Sequence, residues 1–198
     1  ITHCTSDTKS RQETLVKVQK NTGAYFIPPF DNEDIIIGQA TCAKELIAEI
    51  DNLDAIICPV GGGGLLAGTI LASQFYGNNI PVYAGEPDAV DDASRSLISG
   101  SLEKNKTTNT IADGLLTHLG NLNFEIIREG VKDIIVVSDE EIKAAMRLIW
   151  ERLKIIVEPS SAVPLAAILK RKNDFKDLKV GLIVTGGNVA LDHSFLSL

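Results

Sequence analysis

The stretch Leu53 to Ala67, LDAIICPVGGGGLLA, constrains the fold more than any other. An apolar run with no polar alternation, Ala55 to Val60, reads as a strand covered on both faces. It passes directly into four glycines, and the residues after them, LLAGTILASQF, read as a helix. The first turn of a helix leaves backbone N–H groups without intrahelical partners and carries partial positive charge. A glycine loop feeding that turn lets an anion approach the donors with no Cβ in the way. One glycine would serve a tight strand-to-helix turn, so four in a row favour a phosphate cradle. No Gly-Lys-Ser/Thr follows, which excludes a Walker loop.

Around this unit the chain alternates strand and helix signals. Ser10 and Glu13 stand at capping-box spacing ahead of Leu15, Val16 and Val18, predicting a short helix over 10–20 that Gly23 ends. AYFIPP, 24–29, reads as a strand. Ile36, Ala40, Ala43, Ile47 and Ile50 recur at three- and four-residue steps, the mark of an amphipathic helix. IPVYAGE and VGLIVTGG read as further buried strands. Residues 91–121 read as loops around short helices. DIIVVS reads as a strand leading into a helix that runs from a Ser138/Glu141 capping box to about Lys154, and Pro159 opens another helix. The pattern predicts an α/β fold with a mainly parallel, twisted sheet flanked by helices.

Composition narrows the function classes. A net charge of -7, with no basic block interleaved with aromatics, argues against a nucleic-acid groove. The apolar runs are interrupted short of the roughly 20 residues a bilayer span needs, so no membrane partner is expected. Cys4, Cys42 and Cys58 form neither a C-x-x-C pair nor a metal spacing, and read as reduced, inert thiols of a cytoplasmic protein. The chain starts at Ile1 in polar sequence, which suggests a piece of something longer.

By spacing alone a dinucleotide site stays open, since Gly62-x-Gly64-x-x-Ala67 matches the G-x-G-x-x-A fingerprint and Glu86 follows at the end of the next strand. A half-domain of an NAD-binding oxidoreductase and a non-catalytic phosphate-binding remnant are therefore alternatives. If the strands are parallel, Gly61–Gly64, Glu86 and Thr185 share one rim at the strand carboxyl ends.

Five motifs in order, VGGGGLLAG, GEPDAVDD, TIADGL, LKIIVEPSSAVPLAA and GLIVTGGNV, resemble the serine racemase and serine/threonine dehydratase family, pyridoxal-phosphate enzymes of the tryptophan-synthase-β fold. The resemblance covers essentially all of this chain but only the C-terminal part of such an enzyme. It implies that residues 1–30 end a small domain, that 31–198 belong to the large cofactor-binding domain, and that the fold is incomplete at the N-terminus. It makes Gly61, Gly62, Gly63, Gly64 and the Leu65 amide the phosphate cradle, and sets Thr185 opposite the pyridine nitrogen. A hydroxyl there does not hold the nitrogen protonated as a carboxylate would, which suits β-elimination of a hydroxyl better than transamination. Glu86, Asp92 and the Val90 carbonyl match the family's loop for Mg²⁺ (or Ca²⁺ or Mn²⁺), a set of oxygen ligands fit for a hard cation, with Asp54 as a candidate support. Glu158 matches an E-P motif bordering the cofactor pocket, and Lys154 and Asn188 match positions that contact a nucleotide effector in some racemases. The implied activity is β-elimination from serine, threonine or a 3-hydroxy analogue, giving a 2-oxo acid and ammonia, in a homodimer.

Three departures bear on this. Gly38-Gln39-Ala40-Thr41 replaces the usual G-Q-G-T. Phe30 stands where racemases carry an Asn, which weighs against racemisation more than dehydration. The phenylalanine-lysine-x-arginine-glycine motif with the Schiff-base lysine does not occur, nor does the serine-glycine-asparagine-histidine loop, so these residues alone are not expected to turn over an amino acid. His118 reads as a satisfied loop histidine; His3 and His193 carry no spacing signal.

Overall fold

A computed structural model describes residues 1–5 and 8–190. In chain order the elements are α1 (Thr8–Thr22), α2 (Glu33–Glu49), β1 (Ala55–Pro59), α3 (Gly64–Tyr76), β2 (Val82–Pro87), α4 (Asp92–Ser99), α5 (Asn121–Gly130), β3 (Val131–Val137), α6 (Asp139–Leu153), α7 (Pro159–Lys170) and β4 (Val180–Leu182). The strands form one sheet in the order β3-β2-β1-β4, and every pairing is parallel. All strand carboxyl ends therefore lie along one rim.

The continuous apolar strands are explained by burial on both faces, and every residue of β1 is buried. Ile56 and Cys58 join a core with Ile36, Leu66, Ile70 and Phe124, from α2, α3 and α5. Ile57 points the other way, into a core with Met146 and Val163 from α6 and α7. Burial pushes the Cys58 thiol up to about 12, as an inert core cysteine requires. No helix among the described residues is long and apolar enough to cross a membrane.

Local signals are met where they depend on neighbouring residues. Ser138 Oγ accepts from the Glu141 N–H at 3.2 Å, and the Glu141 carboxylate accepts from the Ser138 N–H at 2.8 Å. Gly23 closes α1 in the left-handed region, φ +69°, with its N–H on the Gln19 carbonyl.

Three expectations need correction. First, α1 begins at Thr8, so Ser10 sits inside the helix instead of capping it. Second, residues 24–29 form no strand and pair with none of the four: Pro28 and Pro29 lack the N–H groups a ladder needs. Third, β4 stops at Leu182. The Ile183 N–H still reaches the Ile57 carbonyl at 3.0 Å, but the next donor on β1 would be Pro59, which has none. In addition, residues 121–130, for which the sequence pattern announced no element, form the helix α5.

Candidate functional site

The glycine turn leaves β1 at Pro59 and enters α3 at Gly64. Gly63 is the N-cap, with φ +93° and no side-chain capping bond. None of the N–H groups from Gly62 through Leu65 has an acceptor among the described residues. This row of donors at the head of a 13-residue helix is what an anionic group needs. The absence of side chains is enforced sterically. A Cβ on Gly62 would overlap the Phe30 ring, and one on Gly61 would stand 3.1 Å from Leu115 Cα and 3.3 Å from Thr117 Oγ1.

A cleft of about 410 Å³ opens over this turn. Gly61–Gly64 and Leu65 form part of its wall, as do Thr185 and Glu158, so the cradle residues and Thr185 share one cavity. Thr185 lies beyond β4, in a turn fastened to the start of α7. The Thr185 and Gly186 N–H groups donate to Ser161 Oγ at 2.7 and 3.3 Å, the Glu158 N–H donates to the Gly186 carbonyl at 3.0 Å, and Glu158 Oε2 accepts from the Asn188 N–H at 2.9 Å. Glu158 is thus both the N-cap of α7 and a wall of the cleft. Lys154, at the left-handed end of α6, and Asn188 are both exposed.

Arg11, Thr117 and Ser160 also line the cleft, and sequence reasoning assigned none of them to it. Phe30 lines it too, at the position compared above with the racemase Asn. Arg11 is the cationic side chain of the wall, reaching it from α1. Ser160 Oγ accepts from the Gly114 N–H at 3.0 Å, which fixes the TIADGL segment against α7.

Glu86 and Asp92 lie one strand away along the same rim. Both are 1% exposed, and Val90 between them is equally buried. Glu86 Oε1 accepts from the Ala93 N–H at 2.8 Å and Oε2 from the Ser94 N–H at 2.9 Å, in the first turn of α4. Asp92 Oδ2 accepts from the Leu119 N–H at 2.9 Å. Burial pushes Glu86 up to about 8, against the pull of those two N–H donors, with Asp92 and Asp91 adding repulsion. Burial raises Asp92 as well. Two buried carboxylates of like charge are a donor set that a divalent cation would relieve. Among the described residues no three His, Cys, Asp or Glu side chains converge on a metal position, so such a site would draw on main-chain oxygen.

Asp54 does not support this loop. It sits before β1, at the end of the sheet opposite the rim, and its Oδ2 accepts from the Lys179 N–H at 2.8 Å. His118 is a satisfied loop residue whose Nδ1 accepts from the Asn105 N–H. His193 lies outside the described residues. The dinucleotide alternative loses its ribose partner, because Glu86 is buried and does not line the cleft over the glycine turn.

An open parallel α/β sheet with main-chain donors at the switch from β1 to α3 is an architecture suited to a phosphorylated small molecule at its strand carboxyl ends. The particular family follows from comparison. The chain belongs to the pyridoxal-phosphate dependent enzymes, whose family model matches residues 1–186. It is 47% identical over 192 residues to the β-hydroxyaspartate dehydratase of Paracoccus denitrificans, covering 97% of this chain and 61% of that protein. It is 49% identical over 195 residues to the serine racemase of Dictyostelium discoideum, covering 96% and 60%. Among solved structures, maize serine racemase superposes with a TM-score of 0.92 at 40% identity, covering 98% of this chain and 62% of that one. A threonine deaminase from T.th. superposes at 0.89 with 38% identity, covering 94% and 62%. The chain spans about three fifths of the length of the relatives it matches.

The residues present fit the cofactor. The turn's N–H groups from Gly62 through Leu65 have no acceptor among the described residues and border the cleft, which leaves them free to take up a phosphate.

Proposed function

We propose that the protein containing these 198 residues is a pyridoxal-phosphate-dependent ammonia-lyase for L-serine, L-threonine or a 3-hydroxy analogue such as 3-hydroxyaspartate. The observation that carries this reading is the single cleft walled by both the glycine turn and Thr185. In it, the amides from Gly61 to Leu65 grip the phosphate and the Thr185 hydroxyl meets the ring nitrogen without protonating it. When bound, the cofactor supplies an electron sink for the substrate's Cα. Arg11 pairs with the substrate carboxylate, being the cation of the cleft wall. In the net reaction the α-proton and the β-hydroxyl leave as water, and water re-enters to release a 2-oxo acid and ammonia. Glu86, Asp92 and the Val90 carbonyl hold a divalent cation, Mg²⁺ by preference, which steadies α4 and the loop to Leu119. The Schiff-base lysine is supplied by sequence beyond these residues. The assembly is a cytoplasmic homodimer.

The test is to incubate the full-length protein and pyridoxal phosphate with L-serine, L-threonine and L-threo-3-hydroxyaspartate, measuring 2-oxo acid, ammonia and D-serine. Equal amounts of 2-oxo acid and ammonia from at least one substrate are expected. A cofactor-loaded protein that gives D-serine and no 2-oxo acid would overturn the lyase reading.

A further inference from the structure

The glycine turn is held from behind by residues that never touch the cleft. The Asp31 carboxylate reaches across the chain to the first turn of α5. Oδ2 accepts from the Asn121 N–H at 3.0 Å, and Oδ1 accepts from the Leu122 and Asn123 N–H groups at 3.0 and 3.3 Å. It satisfies three of the helix's otherwise unpaired donors from 90 residues away. Asn123, so fixed and wholly buried, donates from Nδ2 to the Gly62 carbonyl at 2.8 Å and to the Phe30 carbonyl at 3.2 Å. The Gly120 N–H is a second donor to the Gly62 carbonyl, at 3.1 Å.

We infer that Asp31 and Asn123 are positioning residues that hold the glycine turn in its ligand-binding shape. A trans peptide points its C=O and the following N–H in opposite directions. Anchoring the Gly62 carbonyl on α5 therefore aims the Gly63 N–H away from α5, on the cleft side of the turn. Asn123 Oδ1 is buried without a partner, a cost that an apolar side chain of the same volume would not incur. What offsets it is the pair of bonds from Nδ2. The same junction binds Phe30, whose ring covers Gly62, to the turn.

This inference rests on the reading that the turn receives a phosphate, and the experiment separates the two. Dissociation constants of the full-length protein are measured for pyridoxal 5′-phosphate and for pyridoxal, which lacks the phosphate, alongside thermal midpoints. Asn123→Asp keeps the shape but removes both donors. Asp31→Ala uncaps α5, while Asp31→Asn keeps an acceptor oxygen. Gly120→Ala disturbs the junction without altering either polar side chain, because its Cβ would overlap the Asp31 carboxylate. Asn123→Asp, Asp31→Ala and Gly120→Ala are each expected to weaken pyridoxal phosphate binding about tenfold or more, with pyridoxal changed less than about twofold and Asp31→Asn recovering most of the loss. If Asn123→Asp does not fold, the Asp31 pair and Gly120→Ala decide. Folded variants with unchanged phosphate-ligand affinity, or with equal losses for both ligands, would overturn the positioning role. A wild-type protein that binds the two ligands equally would remove the phosphate reading and this inference with it.

Discussion

Gly63→Ala separates the two reasons a glycine is needed in the turn. The backbone sits at φ +93°, where an L side chain is strained by about 1–2 kcal/mol. The new methyl would also lie 2.8 Å from Leu119 Cδ2 and 2.9 Å from both Asn123 Cβ and Ile127 Cδ1. Real Cβ atoms do not approach so closely, so one wall has to move. Leu119 and Ile127 are buried core side chains, and Asn123 is pinned by its two bonds. Overpacking of a close-packed core costs about 1–3 kcal/mol, which brings the sum to about 2–5 kcal/mol. Gly100→Ala is the control. Gly100 has φ +72° with nothing within 4 Å, so it carries strain without collision. Equilibrium urea unfolding of the two variants should give Gly63→Ala the larger loss by about 1–3 kcal/mol, together with impaired retention of pyridoxal phosphate. If the losses agree within about 0.5 kcal/mol, the turn has room for a side chain and the reasoning from close approach fails.

Three further outcomes are expected. Asp92→Ala should abolish any rise in thermal midpoint on adding Mg²⁺; a response equal to that of the wild type would remove the cation assignment. In metal-free buffer, Glu86 binds its proton more readily when folded than when unfolded. Stability from this group is therefore full below about 4.5 and lost as pH rises towards about 8. The change is at most about 5 kcal/mol, and saturating Mg²⁺ should flatten it by favouring the carboxylate; a metal-free unfolding free energy that rises over that window would contradict the buried-carboxyl assignment. Arg11→Ala should raise KM for the amino acid about tenfold or more while leaving pyridoxal phosphate affinity within about twofold; an unchanged KM would place the substrate carboxylate elsewhere.

Features were legible in the sequence where their causes are local. β1, the glycine turn and α3 are contiguous, so the apolar run and the missing Cβ atoms announce strand, turn and helix start together. The Ser138/Glu141 cap is read in the same way, from two residues three apart. α5 is different, because its capping carboxylate is Asp31, 90 residues upstream, and nothing near Asn121 signals it. β4 ends where it does because its partner carries Pro59, a fact about β1. Asp54 looked available to the acidic loop because sequence distance hides the fact that the two occupy opposite ends of a parallel sheet. The engagement of Glu86 by α4 was likewise hidden: EPDAVDD shows carboxylates, but not that the helix begins at Asp92 and turns its first N–H groups back onto Glu86. Arg11 lines the cleft from α1, and nothing in its sequence neighbourhood ties it to the glycine turn.

The most direct measurement is a crystal structure of the full-length protein with pyridoxal 5′-phosphate. The phosphate oxygens should lie within about 3 Å of the main-chain nitrogens between Gly61 and Leu65, with the ring nitrogen facing Thr185 Oγ1. A phosphate held by side chains elsewhere, with those amides turned to water, would contradict the central claim that the tetraglycine turn is the cradle.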